Sequence, residues 1–595
     1  MRRAKRRRTL KHSTQLFSDV IQTNVGRFWR LFGPWGHGVL YLLFTLPFSV
    51  FRHVRIHGDE KVYVGQALEM FRAGHLWQQL QFGEINYIKG PLHYLLLILG
   101  HNLFGFSMLS TVYMNIILAA LAVVALRIAA DYMFPHVQNL GALPAWLFAS
   151  SGAFVMFTYS SQMDSEVTSL YAIALSLTIL AHKTGNIKFY FLLWLCAGLA
   201  GTLKSPLHSA LIGLSVVTYF LLSRELFSGL LGNKLRIGSL ILGILICSAG
   251  YAIPFLLDRE NWLDTYMYRE QINRARFSDS GFMFLLNNFV FNLFPWSLFS
   301  IYGINVIVRE ALKKRIVMTD SIKIGLAFFL PTFIFFYGLG YRATWYGLPL
   351  LASIWTLIGG VLMSREESLV KILSKCVIPW SMIMAAAGIA FHLIFYGGTP
   401  WWTLLNTASI VGLFLASTIL LYLSLKRAFS LKFLIAGLSA FWIGALSLTL
   451  TLGEAETTDI RTLLADKENT LRYSNVNKEN YNEWGYMAYM LGRPTQFGNT
   501  FQELFDAAMN GEYLVFMTKE ELDAFRNWTE STNRSVASLP ESTLEIWRRW
   551  PRNARQMREI WKGNEGIQNF WDRVARQYYI VHFPNSSSNV QTQTR

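Results

Sequence analysis

From Gly36 to Leu452 one apolar stretch follows another, separated only by short polar breaks, and this pattern leaves the chain few architectures. A helix of about twenty apolar residues crosses the roughly 30 Å hydrocarbon layer of a bilayer. Inside that layer every backbone polar group must be satisfied within the protein, which helices do by themselves. The chain is 52% hydrophobic and 15% charged, against a charged share of about a quarter in soluble domains. The expected fold is therefore an α-helical polytopic membrane protein. Residues 454–595 lose the pattern and are expected to form a soluble domain.

The formal charge of +17 does not point to nucleic acid. The excess sits in Arg2, Arg3, Lys5, Arg6, Arg7, Arg8 and Lys11 and in short loops between apolar runs, where membrane orientation places it. Cys196, Cys247 and Cys376 lie in or beside apolar segments with no metal spacing and no disulfide framework.

Loop charge also sets the topology. With the basic tail, residues 1–35, in the cytoplasm, the first span starting at Gly36 delivers the loop 53–105 to the outer side. Residues 91–105 form an apolar run too short for an ordinary span. If this run crossed, the loops carrying Lys183 and Lys188, Arg224, Lys234 and Arg236, Lys313, Lys314 and Arg315, and Lys426, Arg427 and Lys432 would all face outward. That arrangement violates the positive-inside bias, so residues 91–105 are expected to lie at the outer face. Further spans are expected at 107–131, 138–158, 165–182, 187–203, 206–222, 236–257, 286–308, 323–340, 344–364, 375–396, 402–424 and 430–452. The total is about thirteen. The membrane domain covers residues 36–453. An extracytoplasmic α/β domain follows over 454–585, with strands in NTLRYSNV, EYLVFMT and QYYIVHF and a helix in TKEELDAF capped by Thr518. Residues 586–595 read as a disordered end.

The same parity gathers Asp59, Lys89, Asp164, Lys204, the loop 258–285 and Arg342 on the outer side. Lys89-Gly90-Pro91 and Lys204-Ser205-Pro206 each place a lysine two residues before a proline suited to the first turn of a helix. A cation at that point opposes the positive end of the helix, so something negative is expected between the two lysines. Backbone N–H groups at a helix start together with a lysine make a phosphate site. Each residue also has a structural account. Asp59 and Glu60 suit a helix cap and first turn, and the lysines can snorkel. Asp164 can cap a helix, and Glu270 with Arg274 fits a helix-surface ion pair. Asp59 and Glu60, adjacent on a helix, do not share a face; Asp59 falls with Tyr63 and Gln66. His57, His75 and His93 show no ligand spacing and read as structural.

Taken in order, DEKVYVGQALEMFRAGHLW, YIKGPLHY, LFG, QMDSE, LKSPL, REQINR, the FPW of Phe294 to Trp296, YRATWYGLP and YMAYMLGRP resemble the GT-C membrane glycosyltransferases over residues 30–500. Within them the pattern is most similar to the branch holding the lipid A aminoarabinose transferases and the protein O-mannosyltransferases. The resemblance implies transfer of a sugar, with inversion, from a polyprenyl-phosphate carrier to an acceptor at the outer face of the inner membrane. It implies Asp59 and Asp164 as catalytic acids and Lys89, Lys204, Glu270, Arg274, Arg342 and Tyr346 as substrate-binding residues. Glu60, Tyr63 and Tyr87 are placed with the binding set. The family often has Pro, Gly and Lys where this chain has Gly90, Ser205 and Arg342. The aminoarabinose enzymes carry an acid, associated with a bound metal, where this chain has Ile88. A divalent metal ion is thus the one cofactor the resemblance raises, and its ligands here are unknown.

Departure of a sugar from a polyprenyl phosphate calls for cations, and Lys89, Lys204, Arg274 and Arg342 suit that task. A hydroxyl acceptor also needs a base, for which Asp59 is the candidate. The expected partners are the carrier-linked sugar, membrane lipids and either a lipid A-like lipid or an exported protein as acceptor, with no nucleic acid. A lipid or sugar transporter is the competing class, but the two-fold repeats common in transporters are not evident.

Overall fold

The computed structural model describes residues 33–46, 59–134 and 143–362 apart from short breaks, together with 439, 471–474, 476, 496–516, 519–532, 541–547 and 576–582. The chain divides into two compact units. One comprises residues 1–50, 88–93 and 112–449, and the other comprises 51–87, 94–111 and 450–595.

The first unit is helical. Its elements are α1 (33–46), the opening residues of α3 (Pro91–Phe104), most of α4 (Met108–Met133), α5 (Leu143–Ala149), α6 (Gly152–Thr158), α7 (Met163–Thr184), α8 (Ile187–Leu203) and α9 (Pro206–Leu222). There follow α10 (Lys234–Leu257), a wide π-type helix Trp262–Asn273, α11 (Gly281–Leu286), α12 (Ser297–Leu312), α13 (Asp320–Gly338) and α14 (Leu351–Leu362). Among the described residues four helices, Leu109–Met133, α7, α10 and α13, are long and apolar enough to cross a membrane. The shorter apolar helices include α3, α8 and α9. The expected spans 375–396, 402–424 and 430–452 fall, but for Ser439, outside the described residues.

Small residues make the α8–α10 contact close. A Cβ on Gly198 would stand 2.7 Å from the Gly243 carbonyl oxygen, and one on Gly243 would stand 2.5 Å from the Trp194 carbonyl oxygen. Backbones can approach this closely only through glycine, the usual device for helix packing in lipid. The seam continues to Gly250 against Thr202. It therefore fixes the end of α8 from which Lys204 follows.

The expected single span 138–158 is instead two short helices, α5 and α6, broken at Ser150 and Ser151. Tertiary partners satisfy the break. The indole N–H of Trp296 donates to Ser150 Oγ at 2.9 Å, that of Trp355 donates to Ser151 Oγ at 2.9 Å, and the Gly152 N–H donates to the Phe294 carbonyl at 2.6 Å. Only the last pairs a backbone group, as buried non-helical backbone requires; the two indoles anchor the serine hydroxyls of the break. Likewise the expected span 286–308 is interrupted before α12, and the expected loop 258–285 contains the π-type helix.

The second unit holds α2 (Glu60–Ala73), a two-residue hairpin of β1 (Leu80–Gln81) and β2 (Glu84–Ile85), α3 from Tyr94, and a C-terminal sheet. Gln66 links the first of these. It accepts from the Tyr94 hydroxyl at 2.8 Å and donates to the Asn86 carbonyl at 3.0 Å. The sheet is built from β3 (Leu471–Ser474), β4 (Gln496–Gly498), β5 (Tyr513–Phe516), β6 (Glu541–Trp547) and β7 (Arg576–His582), in the order β4-β3-β5-β7-β6. β3 runs parallel to β4 and β5, while β7 pairs antiparallel with β5 and β6. Helices α15 (Phe501–Met509) and α16 (Lys519–Ser531) flank β5 in sequence, and Leu504, Ala507, Leu514, Phe516, Leu522 and Phe525 form a buried core with it. Thr500 caps α15 by accepting from the Glu503 N–H at 3.2 Å. The expected cap Thr518 lies outside the described residues.

Near the end of α3, His101 is buried and contacts Ser110 Oγ at 3.1 Å. Burial lowers its pKa from 6.5 to about 4. The unfolded chain therefore takes up a proton at a higher pH than the folded one. The stability contributed by the neutral ring is complete above about pH 6.5 and drains away as pH falls toward 4, by up to about 3 kcal/mol. Melting of the detergent-purified protein should fall over this window, and His101→Gln should flatten the fall. An unchanged pH profile in the variant would assign the loss to other groups.

Candidate active site

Two helix starts position the candidate lysines of the first unit. α3 begins at Pro91 and α9 at Pro206, each proline standing where its missing N–H costs nothing. Lys89 and Lys204 precede them. Gly90 lets the two backbones meet: its N–H donates to the Lys204 carbonyl at 3.3 Å, and a Cβ there would lie 2.0 Å from the Thr202 carbonyl oxygen. Any side chain at position 90 would separate the two lysine-bearing segments. Tyr251 of α10 closes the same corner, its hydroxyl donating to the Gly201 carbonyl at 2.7 Å.

The negative charge expected between the lysines comes from the chain's own carboxylates. Lys89 Nζ donates to Glu270 Oε2 at 2.7 Å, and both side chains are nearly buried. Lys204 Nζ donates to Asp164 Oδ1, again with both groups nearly buried, and lies 4.9 Å from the centre of the Tyr346 ring. Glu270 is carried by the π-type helix, whose Tyr266 ring packs 5.3 Å from that of Tyr251. Burial raises the Tyr266 hydroxyl pKa well above its usual value, so it stays protonated. The helix-surface pair expected between Glu270 and Arg274 falls partly outside the described residues, where Arg274 and Arg342 themselves lie; on the described side Glu270 bonds Lys89.

Sequence spacing missed part of this arrangement. His93, read as a solitary structural histidine, is buried with Glu166, its Nδ1 at 2.9 Å from Glu166 Oε2. Asn115 of α4 donates from Nδ2 to the Ser160 carbonyl at 2.5 Å and so holds the turn that leads into α7. The available signal was position. His93 falls four residues after Lys89, and Glu166 falls two after Asp164.

The remaining expected residues belong to the second unit. Asp59 stands at the N-cap of α2, exposed and with no capping hydrogen bond from its side chain among the described residues, whereas Glu60 is buried. Tyr63 is buried with its ring 6.2 Å from that of Tyr94, and Tyr87 is buried as well. Among the described residues no three His, Cys, Asp or Glu side chains cluster in a way that would hold a metal ion, and Ile88 offers no ligand beside Lys89.

Residues 88–251 match the family model described as dolichyl-phosphate-mannose-protein mannosyltransferase. The matched segment runs through Lys89, His93, Asp164, Glu166 and Lys204 to Tyr251. ArnT from Cupriavidus metallidurans, solved bound to undecaprenyl phosphate, superposes with a TM-score of 0.64 at 16% identity, covering 92% of this chain and 97% of that one. Its apo state gives 0.64 at 16% identity, covering 94% and 99%. The chain has a GT-C fold. An uncharacterized protein of Aquifex aeolicus (strain VF5) is 24% identical over 341 residues, 57% of this chain and 65% of that relative, so the match spans less than two thirds of the relative's length. The GT-C fold and the apolar helices together make this a multi-pass membrane protein. Within it, the starts of α3 and α7, the end of α8 and the π-type helix assemble the paired cations and carboxylates.

Proposed function

We propose that the protein is an inverting glycosyltransferase of the inner membrane that moves a sugar from a polyprenyl-phosphate carrier to a lipid A-like lipid at the outer face. The observation that carries this reading is the hydrogen-bonded pair of helix starts, with Lys89 and Lys204 brought together through Gly90 and each held by a carboxylate. As the anomeric carbon–oxygen bond to the carrier breaks, its electron pair leaves on the phosphate. Two lysines and the N–H groups at the starts of α3 and α9 form an environment for that growing charge. Arg274 and Arg342 are proposed to complete the grip through their planar guanidinium groups. The acceptor oxygen attacks the opposite face of the same carbon, which accounts for inversion. When the acceptor is a hydroxyl, Asp59 takes its proton; when it is a phosphate, Asp59 orients the sugar. Asp164 and Glu270 hold the lysines in place, and Tyr346, Glu60, Tyr63 and Tyr87 are proposed as substrate-binding residues. The membrane domain is proposed to have about thirteen spans, and its active face and C-terminal domain to be periplasmic. A divalent metal ion is the one cofactor proposed, with its ligands unassigned among the described residues.

The family match over 88–251 favours a second reading in which the acceptor is a serine or threonine of an exported protein. The two readings separate by mass spectrometry of cells with and without the gene. Sugar-modified lipid A supports the first, and O-glycopeptides support the second. If neither product depends on the gene and the purified protein does not bind undecaprenyl phosphate, the transferase reading is wrong.

A further inference from the structure

His93 rises from the first turn of α3, four residues after Lys89, and its ring is 1% exposed against a Glu166 side chain that is 3% exposed. Its Nε2 lies 3.2 Å from the Ser161 carbonyl oxygen, which can only accept, so Nε2 donates. The contact of Nδ1 with Glu166 then requires a second proton, either on the imidazole or on the carboxyl. One ring thereby grips both the turn before α7 and the first turn of α7 itself. Asn115 holds the same turn from α4, its Nδ2 donating to the Ser160 carbonyl at 2.5 Å and approaching those of Phe157 and Gln162 at 3.3 and 3.4 Å. This turn launches Asp164, the partner of Lys204. α3 launches out of Lys89, the partner of Glu270.

We propose that the His93–Glu166 pair is a positioning device: it fixes the start of α3 against the start of α7 and so sets the spacing of Lys89 and Lys204 for a carrier phosphate. The inference rests on the transferase reading. Its role is geometric, and the tie can be rebuilt without the second proton. In Glu166→Gln the amide donates to Nδ1 of a neutral ring whose Nε2 still donates to Ser161. Glu166→Ala loses the tie to the first turn of α7 while the bond of Nε2 to Ser161 can remain, and His93→Ala loses both.

The test is the affinity of the purified full-length protein in nanodiscs for undecaprenyl phosphate, with binding stoichiometry and melting temperature measured on the same samples. Both alanine variants should bind roughly tenfold more weakly, and Glu166→Gln should bind as the wild type does. A merely structural role would lower stoichiometry and melting temperature while leaving the affinity of the folded fraction unchanged, and that result overturns the proposal. So does a Glu166→Gln variant as weak as Glu166→Ala, since the charge rather than the tie would then matter. Should the alanine variants fail to fold, Glu166→Asp, whose shorter side chain breaks the reach to His93, replaces them: weakened binding is expected, and unchanged affinity overturns the proposal. Failure of the wild type to bind removes the transferase reading, and this inference with it.

Discussion

Lys89→Ala should lower sugar transfer by on the order of a hundredfold, the usual cost of removing one preorganised donor to a developing anion. Lys89 is nearly buried, is held in place by Glu270, and sits at the start of α3. In the proposed reaction it would meet the leaving phosphate already desolvated and need little reorganisation. Lys89→Arg keeps the charge but spreads it over a planar head of different reach, so it should recover only part of the loss. The assay is turnover of a polyprenyl-phosphate-linked sugar by membranes carrying equal amounts of each variant, with a melting curve on the purified protein to exclude unfolding. Near-normal turnover in Lys89→Ala would end the assignment of this corner as the phosphate site, because the same side chain would then be only a partner for Glu270.

The sequence exposed helix starts well and pairings poorly, for physical reasons visible at particular residues. Lysine-x-proline signals placed the starts of α3 and α9 at Pro91 and Pro206, where they occur. Continuous apolar runs placed α8 and α9 at the observed residues because local hydropathy and backbone satisfaction suffice there. The run 138–158 failed as one helix because Trp296, Trp355 and Phe294, more than a hundred positions later in the chain, supply the hydrogen bonds that make a break at Ser150 tolerable. The site shows the same division. Residue types were legible, since cations before helices call for an anion. The identity of that anion was not: Glu270 lies 181 positions from Lys89, Asp164 lies 40 from Lys204, and Glu166 lies 73 from His93. A spacing rule that finds Glu270 and Arg274 four residues apart has no access to those separations. The tail shows it too, with β5 and β7 legible as apolar strands while short β4 was not.

Asp164→Ala should destabilise the protein by about 3 kcal/mol, because it leaves the Lys204 ammonium in a nearly buried site without its counter-charge. The Tyr346 ring, 4.9 Å from the ammonium, offsets only a small part of this loss. Removing the charges together has a different consequence. A buried ion pair is costly to half-break and cheap to replace whole, so Asp164→Leu combined with Lys204→Met should regain most of the lost stability. Transfer should not return with it, because the methionine brings no charge to the leaving phosphate. The double variant therefore separates two roles that either single variant confounds. Denaturant or thermal unfolding in detergent supplies one axis of the comparison and turnover in membranes the other. A double variant that is stable and active would make the pair a structural tie with no part in phosphate binding. A single Asp164→Ala that melts like the wild type would show that water reaches Lys204, and with it would go the argument that this corner presents desolvated cations to the carrier.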